Sequence, residues 1–349
     1  MEYWRKRGKR IIMNKILTIS IAAYNVENFI KKALDSLLGV NNAKDIEILV
    51  EDDGGTDNTA NIVKEYEEKY PDIVKLIHKE NGGYGSTINK SIELAQGKYF
   101  KQLDGDDWYD SENFKKFLKI LRNTDADVVY TPYKEFYENR NEYVFKDFLE
   151  KISEKEYKVE EIILEASTFL NMYTLCYSTE ILRKNKLSLL EKCFYTDTQY
   201  AMYPLLFCEK IYITHLPIYI YRLGIEGQSV NLAGHIKHYE DHVRVSKDII
   251  DFCNKNKFSK NKQEYLLNYA ASHNANTIAG FYLVLETNKK NLQQIKEFRK
   301  YIRENENDIY IRLSKQSKIV GILERTNYNY IVYCIMAKLK KNKLKNKYN

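Results

Sequence analysis

The first hundred residues alternate short apolar runs with segments of helical periodicity, and this alternation restricts the fold more than any other feature. Four apolar runs, each predicted to be a strand and the first of them a buried one, occupy residues 16–23, 46–50, 73–77 and 99–103. Between them, apolar residues recur at the three- and four-residue spacing of a helix. Strands that alternate with helices predict an α/β fold with a parallel sheet and crossover helices on its faces.

Parallel sheets of this kind bind ligands beyond the carboxyl ends of their strands, so the residues that follow each strand are the first candidates for a site. All four segments are polar, and two of them are rich in glycine. In chain order they are Tyr24-Asn25-Val26-Glu27, Glu51-Asp52-Asp53-Gly54-Gly55, Asn81-Gly82-Gly83-Tyr84-Gly85-Ser86 and Asp104-Gly105-Asp106-Asp107. The sequence therefore predicts that these segments gather at one rim of the sheet.

The segment Asp104-Gly105-Asp106-Asp107 places three carboxylates within four residues. Like charges this close repel each other unless a cation lies among them. Carboxylates in D-x-D spacing bind Mn²⁺ or Mg²⁺ and leave coordination positions for phosphate oxygens, while Gly105 lets a ligand approach the backbone. A solvated acidic turn is the alternative, but a strand end beside a second acidic segment favours a metal site.

The other two loops carry weaker signals. Carboxylates of residues 51–53 are placed to accept hydrogen bonds from a nucleobase or a ribose, whereas Asp57 is predicted to cap the next helix. The backbone N–H groups of residues 81–86 are candidates for contact with a diphosphate. A plain tight turn explains that glycine loop almost equally well.

Together these segments resemble the family 2 glycosyltransferases, which have the GT-A fold. The matching residues are Ile21-Ala22-Ala23-Tyr24-Asn25, Asp52-Asp53-Gly54-Gly55-Thr56-Asp57, Asn81-Gly82-Gly83 with Asn89, and Leu103-Asp104-Gly105-Asp106-Asp107-Trp108. They occur in the order of the family, and the likeness covers about residues 14–230. Gly83 to Asn89 and Gly97 to Trp108 are most similar to members that act in capsular and exopolysaccharide assembly.

The resemblance also implies roles for particular residues. Tyr24 and Glu27 would flank the nucleotide, and Asp52 or Asp53, together with Asn81, would bind the uracil. Asp104 would contact the ribose or the metal, and Asp106 would bind Mn²⁺ or Mg²⁺. The residues implied to bind the donor are Tyr24, Glu27, Asp52, Asp53, Asn81, Asp104, Gly105 and Arg222.

The chain departs from the family pattern in two places. Ala22 replaces the usual proline, which changes backbone stiffness, and the second departure concerns the phosphates. Ile88 and Ser91 stand where the family commonly has an arginine and a glycine. Another basic residue must then meet the diphosphate, and Lys90 and Arg222 are the candidates. Further along the chain, Tyr221-Arg222 and Gly227-Gln228-Ser229 resemble a stretch that closes over the donor.

Inverting transfer needs a carboxylate that takes the proton of the acceptor hydroxyl. The family places this base in an acidic motif well after the D-x-D pair, and Tyr195-Thr196-Asp197-Thr198-Gln199-Tyr200 matches it, with threonine where a glutamate is common. We therefore predict Asp197 as the catalytic base. A buried aspartate that caps the next helix is the alternative.

The domain organisation predicted is a basic extension at residues 1–13, a GT-A catalytic domain at 14–232 and a helical region at 233–349. The net charge of +7 lies at the ends, with +4 in residues 1–10 and +6 in residues 337–349, which leaves −3 between them. A nearly neutral body of this kind does not favour nucleic acid as a partner. Scattered cysteines and the lack of a signal-peptide pattern predict a cytoplasmic protein, and Met13 is a second candidate start.

Two features of the C-terminal region have alternative interpretations. His235, His238 and His242 share a helical spacing that permits metal binding, although a polar helix face is the more ordinary explanation. Residues 330–336 are apolar and lead into the lysine-rich tail. They are expected either to pack in the core or to lie in a membrane interface on the cytoplasmic face, with the lysines on anionic headgroups. Lipid-linked acceptors would favour the membrane.

The function predicted is inverting transfer from a UDP-sugar to a hydroxyl of a glycan acceptor in the synthesis of a bacterial surface polysaccharide. A nucleotidyltransferase shares the parallel sheet and the metal carboxylates, but it needs a basic phosphate-binding signature in the first loop, where residues 24–27 offer none. A non-catalytic glycan-binding subunit is supported only by the missing arginine at position 88.

Overall fold

The computed structural model describes residues 3–6, 9–12, 15–39, 43–224 and 232–348. The chain divides into two compact units, Met1–Leu223 and Gly224–Asn349. The boundary between the units comes before the predicted boundary at residue 232. Residues 225–231, which lie between the two, are outside the described residues. The predicted basic extension 1–13 is described only in part, as two short antiparallel strands.

Strands and helices alternate through most of the first unit. Its strands are β1 (Tyr3–Lys6), β2 (Lys9–Ile12), β3 (Lys15–Ala23), β4 (Ile46–Asp52), β5 (Val74–His78), β6 (Gly97–Asp104), β7 (Trp108–Tyr109), β8 (Val128–Tyr130), β9 (Tyr133–Tyr137), β10 (Glu142–Lys146), β11 (Glu156–Lys158), β12 (Leu175–Ser178), β13 (Lys210–Ile213) and β14 (Tyr219–Leu223). Its helices are α1 (Ile30–Leu38), α2 (Thr59–Lys69), α3 (Tyr84–Leu94), α4 (Ser111–Asn123), α5 (Val159–Ile162), α6 (Thr179–Lys184) and α7 (Asp197–Phe207).

The large sheet of this unit has eight strands in the order β11-β13-β8-β12-β6-β3-β4-β5. Strands β6, β3, β4 and β5 are parallel neighbours, and β13 is parallel to β8, whereas β12 and β11 run antiparallel to their neighbours. The sheet is therefore mainly parallel, as the alternating pattern predicted. The carboxyl ends of β3, β4 and β6 lie side by side, because Ala22 is opposite both Glu51 and Asp104.

A second sheet of four strands, in the order β10-β9-β14-β7, adjoins the end of β6 in sequence. Residues 128–133, whose apolar pattern is typical of one strand, form parts of two: β8 in the large sheet and β9 in the small one. Strand β7 follows the acidic turn directly and pairs with β14, with Trp108 opposite Ile220. The small sheet therefore holds the C-terminal end of the turn at residues 104–107.

The apolar residues of the predicted strands and helices form the core of the first unit. Ile19 and Val50 from the sheet, Leu34 from α1 and Phe117 from α4 are completely buried and belong to one cluster. Strand β4 is longer than predicted and runs through Asp52, so Glu51 lies inside the sheet. Its carboxyl group accepts a hydrogen bond from Ser91 Oγ at 2.8 Å, and burial raises its pKa to about 7.

The second unit is helical, as expected for the C-terminal region. Its helices are α8 (Leu232–Lys237), α9 (Tyr239–Lys255), α10 (Lys260–Asn276), α11 (Lys289–Asn305), α12 (Asn307–Gln316), α13 (Lys318–Arg325) and α14 (Tyr330–Tyr348). A π-helical segment, Thr277–Phe281, continues α10. None of the helices in the part of the chain that the structure describes is both long and apolar enough to cross a bilayer.

A stack of aromatic rings fills part of the interior of this helical unit. The ring of His242 lies 4.1 Å from that of His273 and 3.8 Å from that of Phe281, and the ring of His235 stacks on Phe281 at 4.5 Å. His238 instead pairs with Asp241. The three histidines therefore do not form one polar helix face, and among the described residues they do not belong to any group of potential metal ligands.

This stack makes the stability of the helical unit depend on pH. Burial lowers the pKa of His242 well below its usual value and that of His273 to about 4. The unfolded chain binds protons at both histidines below pH 6.5, whereas the folded chain does not. The two histidines should therefore lower the free energy of unfolding as the pH falls from 6.5 to 5, by at most about 1.4 kcal/mol per pH unit for each. Buried carboxyl groups of the first unit with a raised pKa, such as Glu51, contribute in the opposite direction, so the contribution of the histidines is measured as a difference between variants.

Urea denaturation followed by circular dichroism at pH 7, 6 and 5 measures this dependence. The variant His273→Leu has one buried histidine fewer, so its unfolding free energy should fall less steeply over the same range. Equal slopes for the variant and the natural protein would show that His273 does not carry the effect.

Candidate active site

The acidic turn at residues 104–107 is the centre of the candidate site. Strand β6 ends at Asp104 and β7 begins at Trp108, so the turn is held at both ends by a sheet. One carboxylate oxygen from each of Asp104, Asp106 and Asp107 lies within 4.8 Å of the others. These three carboxylates therefore lie close enough together to share a cation, and that they bind one stays a prediction.

Asp107 differs from the other two because both of its carboxylate oxygens accept hydrogen bonds from the protein. It accepts a hydrogen bond from the Tyr219 hydroxyl at 2.6 Å and another from the Arg222 backbone N–H at 2.7 Å. Both donors lie on β14, and Asp107 is 1% exposed. Asp107 therefore ties the turn to the small sheet, and Asp104 and Asp106 are left as the two carboxylates for a ligand.

Asp104 and Asp106 are half-buried and lie in an electrostatic environment that suits a cation. Desolvation, and after it the charges of Asp106 and Asp197, raise the pKa of Asp104 to about 7, and desolvation also raises the pKa of Asp106. Tyr84 donates a hydrogen bond to one oxygen of Asp104 at 2.7 Å. Among the described residues, no neighbouring side chain donates to the Asp106 carboxylate. A divalent ion would relieve the repulsion between the Asp104 and Asp106 carboxylates, and carboxylate oxygens fit Mn²⁺ or Mg²⁺ as ligands.

Gly105 is required by the packing of the turn. Its N–H donates to the carbonyl oxygen of Ala22 at 3.0 Å, and a Cβ atom at this position would lie 3.0 Å from that oxygen and from Val26 Cγ2. The turn therefore rests directly on the end of β3. The contact between Gly105 and a ligand remains a prediction, but the packing of the turn already explains why this residue is a glycine.

Arg222 is engaged by contacts inside the protein. Its Nε donates to the backbone oxygen of Asp106 at 2.9 Å, and its guanidinium pairs with Glu138 at 2.8 Å. The same group lies 4.8 Å from the ring centroids of Phe29 and of Trp108, and the residue is 7% exposed. Arg222 therefore braces the acidic turn from behind, and a phosphate contact would have to replace some of these interactions.

Lys90, the other candidate for the phosphates, lies on α3 and pairs with Glu93 one turn away. The motif at residues 227–229, which resembles a segment that closes over the donor, lies outside the described residues. The basic residue that would replace the missing family arginine is thus still to be identified.

The carboxylate of Asp53 organises the glycine loop. Its two oxygens accept hydrogen bonds from the N–H groups of Gly82 at 2.9 Å and Gly83 at 2.8 Å, and it forms an ion pair with Lys79. The expectation that these two N–H groups meet a diphosphate is therefore not supported by the geometry. Asp53 uses them to bind the loop to the end of β4.

Asp52, the last residue of β4, is completely buried. One of its oxygens accepts the Gly55 N–H at 3.1 Å, and the other lies 2.6 Å from His78 Nδ1. Asn81 donates to the backbone oxygen of Asp53 at 2.9 Å and is itself exposed. The three residues predicted to bind the base of the nucleotide, Asp52, Asp53 and Asn81, are therefore brought together at the rim.

The first loop, after β3, presents one side chain outward and uses another internally. Tyr24 is 54% exposed, which leaves its ring available to a ligand. Glu27 accepts the N–H of Asn58 at 2.8 Å, and its own N–H donates to Asp57, whose carboxylate also accepts the Thr59 N–H. Glu27 and Asp57 therefore hold the start of α2, and Tyr24 is the exposed aromatic residue of this loop.

Asp197 is the first residue of α7, and its side chain is exposed. Its charge contributes, after burial and Asp106, to the raised pKa of Asp104, so the two carboxylates are within Coulombic reach of each other. Desolvation by the surrounding protein raises the pKa of Asp197 itself. Asp197 is therefore accessible to solvent and close enough to Asp104 to affect its ionisation.

The segment that leads to Asp197 packs against the glycine loop. Asn89 Nδ2 donates to the Leu189 oxygen at 3.0 Å, and Asn89 Oδ1 accepts the Leu189 N–H at 2.8 Å. Gly83 has a φ of +78°, and a Cβ on it would lie 3.2 Å from the Lys192 backbone; one on Gly85 would collide with the oxygen of Leu190. These glycines are needed so that the segment with the predicted base can approach.

Three positioning residues were not predicted from the sequence: Tyr84, Asn89 and Tyr219. Tyr84 and Asn89 fall within Gly83 to Asn89, a segment quoted for the family resemblance, and that resemblance was the available signal. Tyr219 belongs to a strand that joins the site only through the small sheet, and nothing in its local sequence indicates its contact with Asp107.

Comparison with known proteins agrees with this geometry. The sequence model of glycosyl transferase family 2 matches residues 18–189. Glycosyltransferase GlyA from Streptococcus pneumoniae is 30% identical over 163 residues, which cover 47% of this chain and 22% of that protein. An uncharacterized glycosyltransferase from Mycoplasma pneumoniae is 26% identical over 239 residues, which cover 67% of this chain and 77% of the relative. The aligned part of this chain thus spans less than a quarter of the pneumococcal relative.

A solved structure shares the fold. The crystal structure of Staphylococcus aureus TarS, residues 1–349, in complex with UDP-GlcNAc superposes with a TM-score of 0.69 and 18% identity, covering 94% of this chain and 92% of that one. This likeness confirms the expected GT-A-type architecture with a C-terminal helical region. The matched segment 18–189 contains the acidic turn, the glycine loop and the rim residues. Residues 18–189, just under half of the chain, therefore match glycosyl transferase family 2.

Proposed function

We propose that this protein transfers a sugar, with inversion at the anomeric carbon, from a UDP-sugar to a hydroxyl of a glycan acceptor. The observation that supports the proposal is that two kinds of carboxylate lie within Coulombic reach of each other. Asp104 and Asp106 are crowded and lack sufficient internal donors, whereas Asp197 stands apart as an exposed single carboxylate within reach of their charge.

Asp104 and Asp106 would hold a Mn²⁺ or Mg²⁺ ion. When bound, such an ion supplies positive charge to the diphosphate that leaves with the nucleotide. Asp107 and Arg222 keep the turn in place from behind, through the hydrogen bonds that tie it to β14. The protein thus presents two carboxylates at a fixed spacing to the ligand.

Asp197 would act as the base. The acceptor oxygen forms a bond to the anomeric carbon while the bond from that carbon to the UDP oxygen breaks, and the hydroxyl proton passes to the Asp197 carboxylate. Surrounding protein raises the pKa of Asp197, and a carboxylate with a raised pKa is a stronger base, provided that it is ionised at the working pH.

The nucleotide would lie at the rim formed by Tyr24, Asp52, Asp53 and Asn81. The exposed ring of Tyr24 can stack on a base, and the exposed Asn81 amide has a donor and an acceptor for its edge. UDP as the nucleotide is supported by the shared fold with TarS, which has been crystallised with UDP-GlcNAc. The sugar itself is left open by these contacts.

The acceptor we propose is a lipid-linked glycan at the cytoplasmic face of a membrane, in capsule, exopolysaccharide or other surface-polysaccharide synthesis. The support is the sequence resemblance of residues 83–89 and 97–108 to enzymes of that kind. The predicted domain division, with catalysis before about residue 232 and a helical region after it, is part of the same proposal.

A screen of nucleotide sugars in the presence and absence of Mn²⁺ tests the proposal. We expect release of UDP from one UDP-sugar, accelerated by the metal ion and increased further by a glycan acceptor. Release of pyrophosphate would instead indicate a nucleotidyltransferase. Binding of nucleotide without any turnover, across all sugars and acceptors, would favour a non-catalytic glycan-binding subunit.

A further inference from the structure

The C-terminal helix α14 carries apolar residues on two faces. On the inner face Tyr333 and Ala337 are completely buried. On the outer face Ile331, Ile335 and Leu339 are 69%, 49% and 57% exposed. Because residues four apart lie above one another on a helix, these three side chains form one continuous line along its outside. Single exposed aliphatic residues are ordinary, but an aligned group of them indicates a contact surface.

Lysines border this line of aliphatic side chains. Lys338 and Lys343 are exposed, and on a helix of 3.6 residues per turn they lie on either side of Ile335 and Leu339. Residues 326–349 contain six lysines and no acidic residue. The surface is therefore apolar along its centre and positive along both margins.

We propose that this surface, the α14 stripe (Ile331, Ile335, Leu339, Lys338 and Lys343), lies in the interface of a bilayer that contains anionic lipids. The aliphatic line of the stripe, from Ile331 to Leu339, is about 12 Å long at 1.5 Å per residue. It is too short to cross a hydrocarbon core of about 30 Å, so the helix would lie in the plane of the membrane. The aliphatic side chains enter the acyl boundary, and the lysine stems extend to the headgroups.

The charge pattern selects the membrane over a second copy of the chain. Two copies that paired through this surface would bring their lysines together, and like charges across an interface disfavour association. Anionic headgroups complement the same lysines, with a contribution from each one near the surface. This inference does not depend on the proposed transfer reaction, because the α14 stripe shares no residue with the candidate active site.

Co-sedimentation of the full chain with lipid vesicles tests the inference. We expect binding to vesicles of phosphatidylcholine with phosphatidylglycerol at low salt, and weak binding to phosphatidylcholine alone. The triple variant Ile331→Asn, Ile335→Asn, Leu339→Asn and the double variant Lys338→Gln, Lys343→Gln should each lose at least about tenfold in partitioning. These side chains are exposed, so the helix content by circular dichroism should be unchanged.

Two matched controls show whether the position of the change matters. Ile311→Asn alters an aliphatic side chain that is 53% exposed on α12, and Lys255→Gln with Lys257→Gln removes two charges at the end of α9. Both should bind vesicles like the natural protein. Equal binding by the triple variant would overturn the inference. So would a dimer in light scattering that the triple variant converts to a monomer, because the stripe would then be covered by a second copy.

Discussion

Replacement of Asp106 by alanine is expected to lower the rate of UDP release from the donor by at least about a hundredfold, because it removes one of the two carboxylates left to hold a cation against the diphosphate. The fold should not suffer. Among the described residues no neighbouring side chain donates to this carboxylate, and its loss relieves the repulsion that helps to raise the pKa of Asp104 after desolvation. The melting temperature without metal should stay equal or rise.

Two neighbouring aspartates give matched controls for this variant. Asp107→Ala loses the hydrogen bonds from Tyr219 and from the Arg222 backbone, so it should lower the free energy of unfolding by about 1–3 kcal/mol. Asp125→Ala, whose side chain is 92% exposed, should change neither stability nor rate. Calorimetry with Mn²⁺ and UDP should show weakened binding for Asp106→Ala and natural binding for Asp125→Ala. Natural turnover and metal uptake in that variant would remove the metal assignment.

The strands that lead to the site were predictable from local sequence. Each of the four apolar runs in the first hundred residues forms a parallel strand within a few residues of the predicted ends, because a strand buried on both faces needs continuous apolar character. The gathering of the polar segments at one rim was predictable too, because the carboxyl ends of parallel strands share one edge of the sheet. The amino-acid pattern alone was therefore enough to assign Asp104 and Asp106 to one place.

The roles of individual polar residues were less predictable, because a carboxylate in a loop has the same local pattern whether it meets a ligand or a backbone N–H. Asp53 and Asp107 illustrate this. Both were expected in or beside a ligand site, and both have their two oxygens bound by N–H or O–H groups of the protein. Gly83, a partner of Asp53, lies 30 residues away along the chain, and Arg222, a partner of Asp107, lies 115 residues away. Contacts between residues so far apart in sequence depend on the topology of the fold.

The approach of residues 189–193 to the glycine loop is another property that only the fold determines. From the sequence, Gly83 and Gly85 were explained by a ligand or a tight turn. In the structure Lys192 and Leu190 occupy the space where their side chains would be. Asn89, 100 residues from Leu189, fixes that segment with two hydrogen bonds. The glycine loop therefore helps to place the segment that leads to Asp197.

Replacement of Asp197 by asparagine is expected to reduce sugar transfer by about a hundredfold to ten-thousandfold while leaving UDP affinity in Mn²⁺ unchanged. The amide has almost the same size as the carboxylate but does not accept the proton of the acceptor hydroxyl. It also retains a polar group at the start of α7, so the loss of a charge at the helix N-terminus should cost at most about 1 kcal/mol of stability.

The two active-site variants should therefore fail in different steps. Asp106→Ala should lose metal-assisted nucleotide binding together with turnover, whereas Asp197→Asn should keep the binding and lose only the reaction with the acceptor. Single-turnover transfer and calorimetry on the same preparations separate the two effects. If Asp197→Asn transfers sugar at the natural rate, the base lies elsewhere in the cleft. If it also loses UDP, Asp197 helps to hold the donor, and the division of roles among these carboxylates has to be redrawn.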